Sequence, residues 1–496
     1  MNNLAAWLLE RGSDDSVVLA STERTHTRGE LRQRVREVAG AVLDATQGSQ
    51  RPIVAIAGDN SFELIAAHLG VLHAGAISML LPPLSTDHLS HVFGETQPML
   101  VFAERGQSAQ LTALTTSPVL ALDAVLPASS AVPQVIAPTQ LSVLLHTSGS
   151  TSRPKGVMLS ARNIQHNTQA ISDAVALGEG DRALSFMPLH YAFGLSVLHT
   201  HLRAGASLCF GRAAFPSQML GELQSSGATG LPGVPTLFAT LLNRTSLAGA
   251  QLPQLRYAMI SGGQLATPLV HRLREALPQA QVFLRYGVTE VTSGASALPP
   301  HRADKIPSIG QGFAGAPLQV LRADGSSVVP GSGEPGEIVV RSDSVALGYW
   351  GEGEESQHFR DGAFHTGDIA TVDEEGFVFV VGRERDFIKT AGFRVAPGEI
   401  EDVVARLPLV EEVAVCGVPH PVLGESLLCC VVPRAGSTDV VLQVRKHCVA
   451  QLPSYKVPTQ VELVDALPRT STGKLDRRRL RELLQGSAPP PKADSP

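Results

Sequence analysis

Through most of the first 380 residues, short apolar runs alternate with turns and with stretches whose apolar positions recur at helical spacing. RPIVAIAGDN (51–60) predicts a strand, and SFELIAAHLGVLHAG (61–75) predicts the helix after it, opened by Ser61 as N-cap. LSVLLHTSG (141–149) predicts a buried strand, followed by a loop rich in Gly, Ser and Thr and then a helix beginning near Ser160. RYAMISGG (256–263) and QVFLRYGVTE (281–290) repeat the theme, with helical ATPLVHRLREALP between them. Alternation of this kind predicts mostly parallel sheets covered by helices, with ligands gathered at the carboxyl ends of the strands.

From about residue 310 to 380 the texture changes to glycine-rich turns and short strands such as GEIVVRS and GFVFVVG, which predicts an antiparallel or barrel-like piece. After GRERD (382–386) a compact α+β pattern follows: GEIEDVVARLP as helix, VEEVAVCGVP and LLCCVVPR as strands, VLQVRKHCVAQLP as helix. The reading is an α/β domain over 1–384, an α+β domain over 385–485 and a Pro/Ser-rich disordered tail over 486–496. A chain of 496 residues exceeds what one core usually organises, which agrees with that division.

Composition narrows the function classes. With 43% hydrophobic and 17% charged residues the chain reads as a soluble, well-packed enzyme. A net charge of −6 gives no electrostatic footprint for nucleic acid, so anionic substrates need local positive groups. No apolar run reaches membrane-spanning length, and the first residues lack a signal-peptide layout. Cys209, Cys416, Cys429, Cys430 and Cys448 have no metal-site spacing and read as reduced thiols, so a cytoplasmic location is expected.

The chemistry concentrates in five segments. HTSGSTSRPKG (146–156) holds two glycines, five Ser/Thr residues and a lysine, a set whose N–H groups, hydroxyls and cation can wrap phosphate oxygens. It is not a Walker loop, because Lys155 precedes Gly156 and no G-K-[ST] is present. Alone it reads equally well as a polar surface loop. YGVTE (286–290) supplies an aromatic ring, a hydroxyl and a carboxylate able to stack a base, bond a phosphate and hold Mg²⁺. HTGD (365–368) offers a carboxylate for a ribose diol. GRERDFIKTAGFRVAPGEIE (382–401) and PRTSTGKLDRRRL (468–480) complete the order.

In that order and with those separations, the segments resemble the adenylate-forming superfamily: acyl- and aryl-CoA synthetases, adenylation domains of peptide synthetases, and luciferases. The resemblance spans roughly residues 20–485 and is nearest in type to acyl-CoA synthetases. It implies a large N-terminal domain of two helix-covered sheets plus a distorted β-barrel, and a small mobile C-terminal α+β domain. It also implies residue roles. Thr147, Ser148, Gly149, Ser150, Thr151 and Lys155 would form the phosphate loop, and Gly262, Gly263 and Gln264 would line the adenine side. Tyr286 would stack on adenine beside Gly287, Thr289 would contact the α-phosphate and Glu290 would bind Mg²⁺. Asp368 and Arg383 would hold the ribose, Arg385 would be the hinge and Lys474 the catalytic lysine of adenylation. Ser152 departs from the glycine most relatives carry, and His146 reads as a packing side chain.

The reaction so implied converts a carboxylic acid and ATP into an acyl-adenylate and pyrophosphate, then transfers the acyl group to a thiol. Lys474 must then withdraw, and the loop TAGFR (390–394), where Gly392 leaves room for a pantetheine arm, would replace it. The thiol is that of coenzyme A or of a carrier protein's phosphopantetheine. Tyr191, Phe193, Gly194, Val234, Phe238 and Gly263 are the candidate acyl-pocket walls. Gly194 stands where amino-acid-activating relatives carry Asp, so an α-amino acid is disfavoured. Gly287 stands where acetate-type relatives carry a Trp, so a deeper cavity is expected. A phosphotransferase would release ADP and leave Lys474 without a role. A non-catalytic binding module would be expected to lack Lys474, Glu290 or Asp368.

Overall fold

A computed structural model of the chain describes residues 3–20, 24–47, 49–147, 154–212, 215–352, 356–390, 392–420, 422–470 and 475–485. Strands Ile53–Ala57, Ile77–Leu81 and Leu141–Thr147 are parallel neighbours in a seven-stranded sheet. Strands Gly230–Gly233, Tyr257–Ile260 and Gln281–Tyr286 are parallel neighbours in an eight-stranded one. Helices Arg28–Thr46, Phe62–His73, Ala161–Val175 and Ala192–Ala204 share one core with residues of both sheets, so they form the layer between them. Helices such as Thr86–Thr96 cover the far face of the first sheet, and Pro235–Arg244 and Thr267–Ala276 that of the second.

Local sequence explains the middle layer. Phe62–His73 is FELIAAHLGVLH, buried at every position but Glu63, as a helix apolar all round must be. Ser61 caps it by accepting a hydrogen bond from the Leu64 amide at 3.1 Å. His68 is tolerated inside because Nδ1 meets Ser78 Oγ at 2.8 Å and Nε2 meets His199 Nε2 at 3.0 Å. Two facing imidazole nitrogens can share only one proton, and burial holds His68 neutral, its pKa lowered to about 3.

One expectation needs correction. The Gly/Ser/Thr-rich loop does not run from a strand into a helix: strand Lys155–Ser160 intervenes, antiparallel to Leu141–Thr147, with Thr147 opposite Lys155. The two strands are therefore a hairpin pair. The expected helix starts one step later, at Ala161, where Ser160 Oγ accepts from the Asn163 amide and Asn163 Oδ1 accepts from that of Ser160.

Strands Gln319–Leu321, Gly336–Val340, Ala363–Val372 and Val378–Arg383 form the expected antiparallel half-barrel. Beyond it, Ile388–Thr390, Phe393–Val395, Val410–His420, Gly424–Pro433 and Gln460–Leu463 make a separate sheet. Helices Pro397–Val404 and Val440–Gln451 pack on one face of that sheet, and Arg477–Gln485 packs on the other. Arg477 fastens the last helix with a two-pronged ion pair to Glu401 at 2.7 and 2.9 Å. This unit meets the N-terminal region where Arg244 pairs with Glu411 at 2.8 Å and Arg434 donates to Asn243 at 3.3 Å. The 486–496 tail lies outside the described residues. Among those described, no helix is long and apolar enough to cross a membrane.

Candidate functional site

At the carboxyl end of strand Gln281–Tyr286, the Tyr286 hydroxyl donates to Asp368 Oδ2 at 2.6 Å, and Arg383 Nε donates to Asp368 Oδ1 at 2.9 Å. The sheet builds this trio, because Asp368 and Arg383 face each other across the antiparallel strands Ala363–Val372 and Val378–Arg383. Burial, then the adjacent carboxylate, pushes the Tyr286 phenol well above its ordinary pKa, so it stays a neutral donor. Asp368 in turn raises the pKa of Arg383. Gly262, Gly263 and Gln264 follow the neighbouring strand Tyr257–Ile260; Gly263 and Gln264 are exposed, and Gly262 takes φ +85°, a turn that favours glycine.

A second cluster gathers around Glu290. Tyr349 donates its hydroxyl to Glu290 Oε1 at 2.7 Å, and Lys155 Nζ lies 4.6 Å from the Tyr349 ring centre while donating to Glu352 Oε1 at 2.7 Å. Tyr349 and Glu352 were not anticipated from sequence. They arrive through the two-residue strand Gly348–Tyr349, which pairs with Met158 and Val157, and through the Trp350 amide bonded to the Gly156 carbonyl at 2.7 Å. Thr289 opens a short turn whose next residue, Thr292, sits at φ +67°. That conformation costs a β-branched residue on the order of 1–3 kcal/mol. A 2.7 Å bond from Thr292 Oγ1 to the Ser344 carbonyl holds it. Ser148, Gly149, Ser150, Thr151 and Ser152 lie outside the described residues, as does Lys474.

The candidate acyl segment is the start of helix Ala192–Ala204, with Tyr191 and Phe193 half-buried and Gly194 buried. A Cβ on Gly194 would fall 2.2 Å from the Pro188 carbonyl oxygen, and one on Gly287 would fall 1.7 Å from that of Ser293. Both glycines are thus required by backbone packing, whatever else their smallness permits. Gly263 is looser, since a Cβ there would lie 3.5 Å from Pro235 Cγ. Val234 is half-buried at the entrance to helix Pro235–Arg244, whereas Phe238 is fully buried in the core under the outer helices and fills a packing role. His146 is buried too. Desolvation lowers its pKa to about 4, so it is a neutral side chain, in line with the packing role expected for it.

Arg385 falls in the short turn Glu384–Asp386 between the half-barrel and the C-terminal sheet, and its side chain lies outside what is described. Gly392 turns the hairpin between Ile388–Thr390 and Phe393–Val395 at φ +83°, and among the described residues nothing but its own chain neighbours lies within 4 Å of where a Cβ would be. Among the described residues no cluster of three or more His, Cys, Asp or Glu side chains could enclose a metal ion. A lone carboxylate such as Glu290 nonetheless suits Mg²⁺, which commonly binds through one or two carboxylates, waters and substrate phosphates.

Residues 6–350 match the AMP-binding enzyme family, and residues 399–474 match the AMP-binding enzyme C-terminal domain. A feruloyl-CoA synthase from Amycolatopsis sp is 36% identical over 68% of this chain and 69% of its own length. An oxalate–CoA ligase from Arabidopsis thaliana is 30% identical over 92% of each. Among solved structures, ATP-bound MatB from Rhodopseudomonas palustris superposes with a TM-score of 0.89 at 29% identity, covering 98% of this chain and 99% of that one.

Proposed function

Because the chain belongs to the AMP-binding enzyme family and is an acid–thiol ligase, we propose that it activates a carboxylic acid lacking an α-amino group as the acyl-adenylate and then passes the acyl group to coenzyme A. The observation that carries the nucleotide half of this reading is the buried Asp368, its two oxygens oriented by Tyr286 and Arg383 beside an aromatic ring at a strand end. A carboxylate so fixed can accept both hydroxyls of a ribose, while the ring of Tyr286 offers a face to the base.

A carboxylate is a poor acylating agent, because its leaving group would be oxide. Attack on the α-phosphate of ATP turns it into a mixed anhydride whose leaving group is AMP, and pyrophosphate departs. Two anions must approach, so positive charge has to sit where phosphoryl charge develops. In our reading Lys155 leaves Glu352 for the phosphates, Thr289 bonds the α-phosphate and Lys474 reaches in from the C-terminal unit. Magnesium, held by Glu290 and the phosphates, would supply further charge neutralisation. In the second step Lys474 withdraws by rotation at Arg385, and the Gly392 hairpin takes its place beside a pantetheine thiol. The five unpaired cysteines suit a reducing compartment, which supports a cytoplasmic reading.

The relatives' names do not choose the acid, since a feruloyl-CoA synthase and an oxalate–CoA ligase act on unlike substrates. Acid-dependent release of pyrophosphate and AMP, followed by mass analysis of the thioester, tests the proposal. Coenzyme A should serve as acceptor; product formed only on a phosphopantetheinylated carrier protein would reassign the thiol, and ADP release would refute adenylation.

A further inference from the structure

Arg285 precedes Tyr286 on the strand Gln281–Tyr286 but points to the opposite face. Alternation explains this: Val282 belongs to the core under the outer helices, whereas Phe283 packs with Tyr257 and Met259 toward the middle helices, and Arg285 continues that face. Arg285 as a whole is 5% exposed. Its partners are neutral: Ser196 Oγ at 3.3 Å, Met259 Sδ at 3.5 Å and the hydroxyl of Ser293. Its Nε has no hydrogen-bond partner, and among the described residues no carboxylate lies within ion-pair distance.

A buried cation is ordinarily matched by an anion, as Arg383 of the same site is by Asp368. Burial without a counter-ion lowers the pKa of Arg285 to about 9, which still leaves it charged at neutral pH. The residues around it belong to the site. Ser196 and Phe193 lie on the first turns of the acyl-segment helix, with the half-buried Phe193 ring 5.2 Å from the guanidinium carbon. Met259 is on the strand that leads to Gly262 and Gly263, and Ser293 follows Glu290 in the chain. Gly294 accommodates the side chain, since a Cβ there would lie 2.8 Å from Arg285 Nε.

We propose that Arg285 is a specificity-determining residue that pairs with a second anionic group on the acid, so that the substrate is a dicarboxylic acid, one carboxylate being adenylated while the other meets the guanidinium. The inference rests on the ligase reading above and names the class of acid that reading leaves open. A planar guanidinium recognises a carboxylate through paired hydrogen bonds, here in exchange for its long contacts to Ser196 and Met259, and a monoacid of equal length would leave the buried charge unmatched. The same charge would repel the ammonium of an α-amino acid.

The test measures pyrophosphate release by the full-length protein with straight-chain dicarboxylic acids of two to six carbons, each against the monocarboxylic acid of the same carbon number. The best diacid should exceed its monoacid partner in kcat/KM by about 100-fold, a ratio typical of a lost charged hydrogen-bond pair. Arg285→Met should abolish that preference, leaving monoacid turnover within a few-fold of its starting value, and Arg285→Lys should restore part of it, chiefly through KM. Equal or better use of monoacids by the unaltered protein would overturn the inference while leaving the ligase reading intact, and this arm stands even if Arg285→Met does not fold. An equal fall for both acids in a folded Arg285→Met protein would assign the residue to packing. No pyrophosphate release from any acid would overturn both readings.

Discussion

In the proposed reading the candidate site has a nucleoside end and a phosphate end, and the two differ in how they are prepared. At the nucleoside end, Asp368 is buried, ion-paired with Arg383 and bonded to Tyr286, and the register of two long antiparallel strands positions the pair. At the phosphate end, Glu290 accepts a hydrogen bond from Tyr349, and Lys155 rests on Glu352. The first arrangement is fixed by the protein's own bonds, so that on this reading a ribose is received without moving it. The second holds its charges on partners that a phosphate and a cation can replace. Preorganised recognition and exchangeable charge are what the two jobs demand: the nucleoside is unchanged by the reaction, whereas the phosphates gain and lose charge during it.

The comparison breaks most visibly at Glu290. Glu290→Gln should lower adenylation by about 100-fold or more, as loss of one charged group does at a reacting phosphate, while AMP binding by calorimetry stays within a few-fold. A matching collapse of AMP affinity would erase the distinction between the ends. Asp368→Asn should do the reverse, raising the ATP KM by about 10- to 100-fold with a smaller change in kcat, because it leaves Arg383 without its anion. Tyr349→Phe removes a placeholder and not a reacting group, so the expected change in kcat is under about tenfold, with ATP KM unchanged. A loss as large as that of Glu290→Gln would make Tyr349 a participant.

Acid stability sharpens the contrast further, because the most deeply buried of the groups that set it, His68, lies with His199 in the middle helices and away from both ends. Burial lowers the pKa of His68 to about 3 and those of His146, His190 and His201 to about 4, against an ordinary 6.5. A histidine neutral in the folded state and protonated in the unfolded one makes stability fall as pH drops below 6.5, by about 1.4 kcal/mol per pH unit for each group, until the folded pKa is reached. Asp402, pushed up to about 6 by burial, acts in the opposite direction, one group against four. Tm should therefore decline between pH 6.5 and 4 and be little changed by pH just above 6.5. His68→Gln should flatten the decline; an unaltered slope would remove the His68–His199 contact from the account.

Much of this was legible along the chain, and what was not has physical causes. Tyr286, Glu290, Asp368 and Arg383 stand in short segments whose composition already suggests nucleotide chemistry, and the strands that carry them announce themselves by apolar runs. Tyr349 and Glu352 carry no such signal, because they reach Lys155 only through a two-residue strand paired across almost two hundred residues of chain. Strand Lys155–Ser160 was hidden because KGVMLS begins in a polar loop and runs directly into a helix cap. Gly194 suggested a missing countercharge and Gly287 a deeper cavity, whereas the facing carbonyls of Pro188 and Ser293 supply a sufficient reason for both glycines. Arg285 could have been found: it is the one charged residue within QVFLRY, on the face that Phe283 turns inward.

The proposed mechanism divides two half-reactions between two faces of the C-terminal unit, and one side chain tests that division. Lys474→Ala should lower acyl-adenylate formation by about two to three orders of magnitude, as expected for one electrostatic donor lost from a dry site. Given chemically prepared acyl-AMP and coenzyme A, the same protein should form thioester at nearly the unaltered rate, with Tm essentially unmoved. A fall in thioester formation as deep as the fall in adenylation would contradict the account, since Lys474 would then serve both steps from one position.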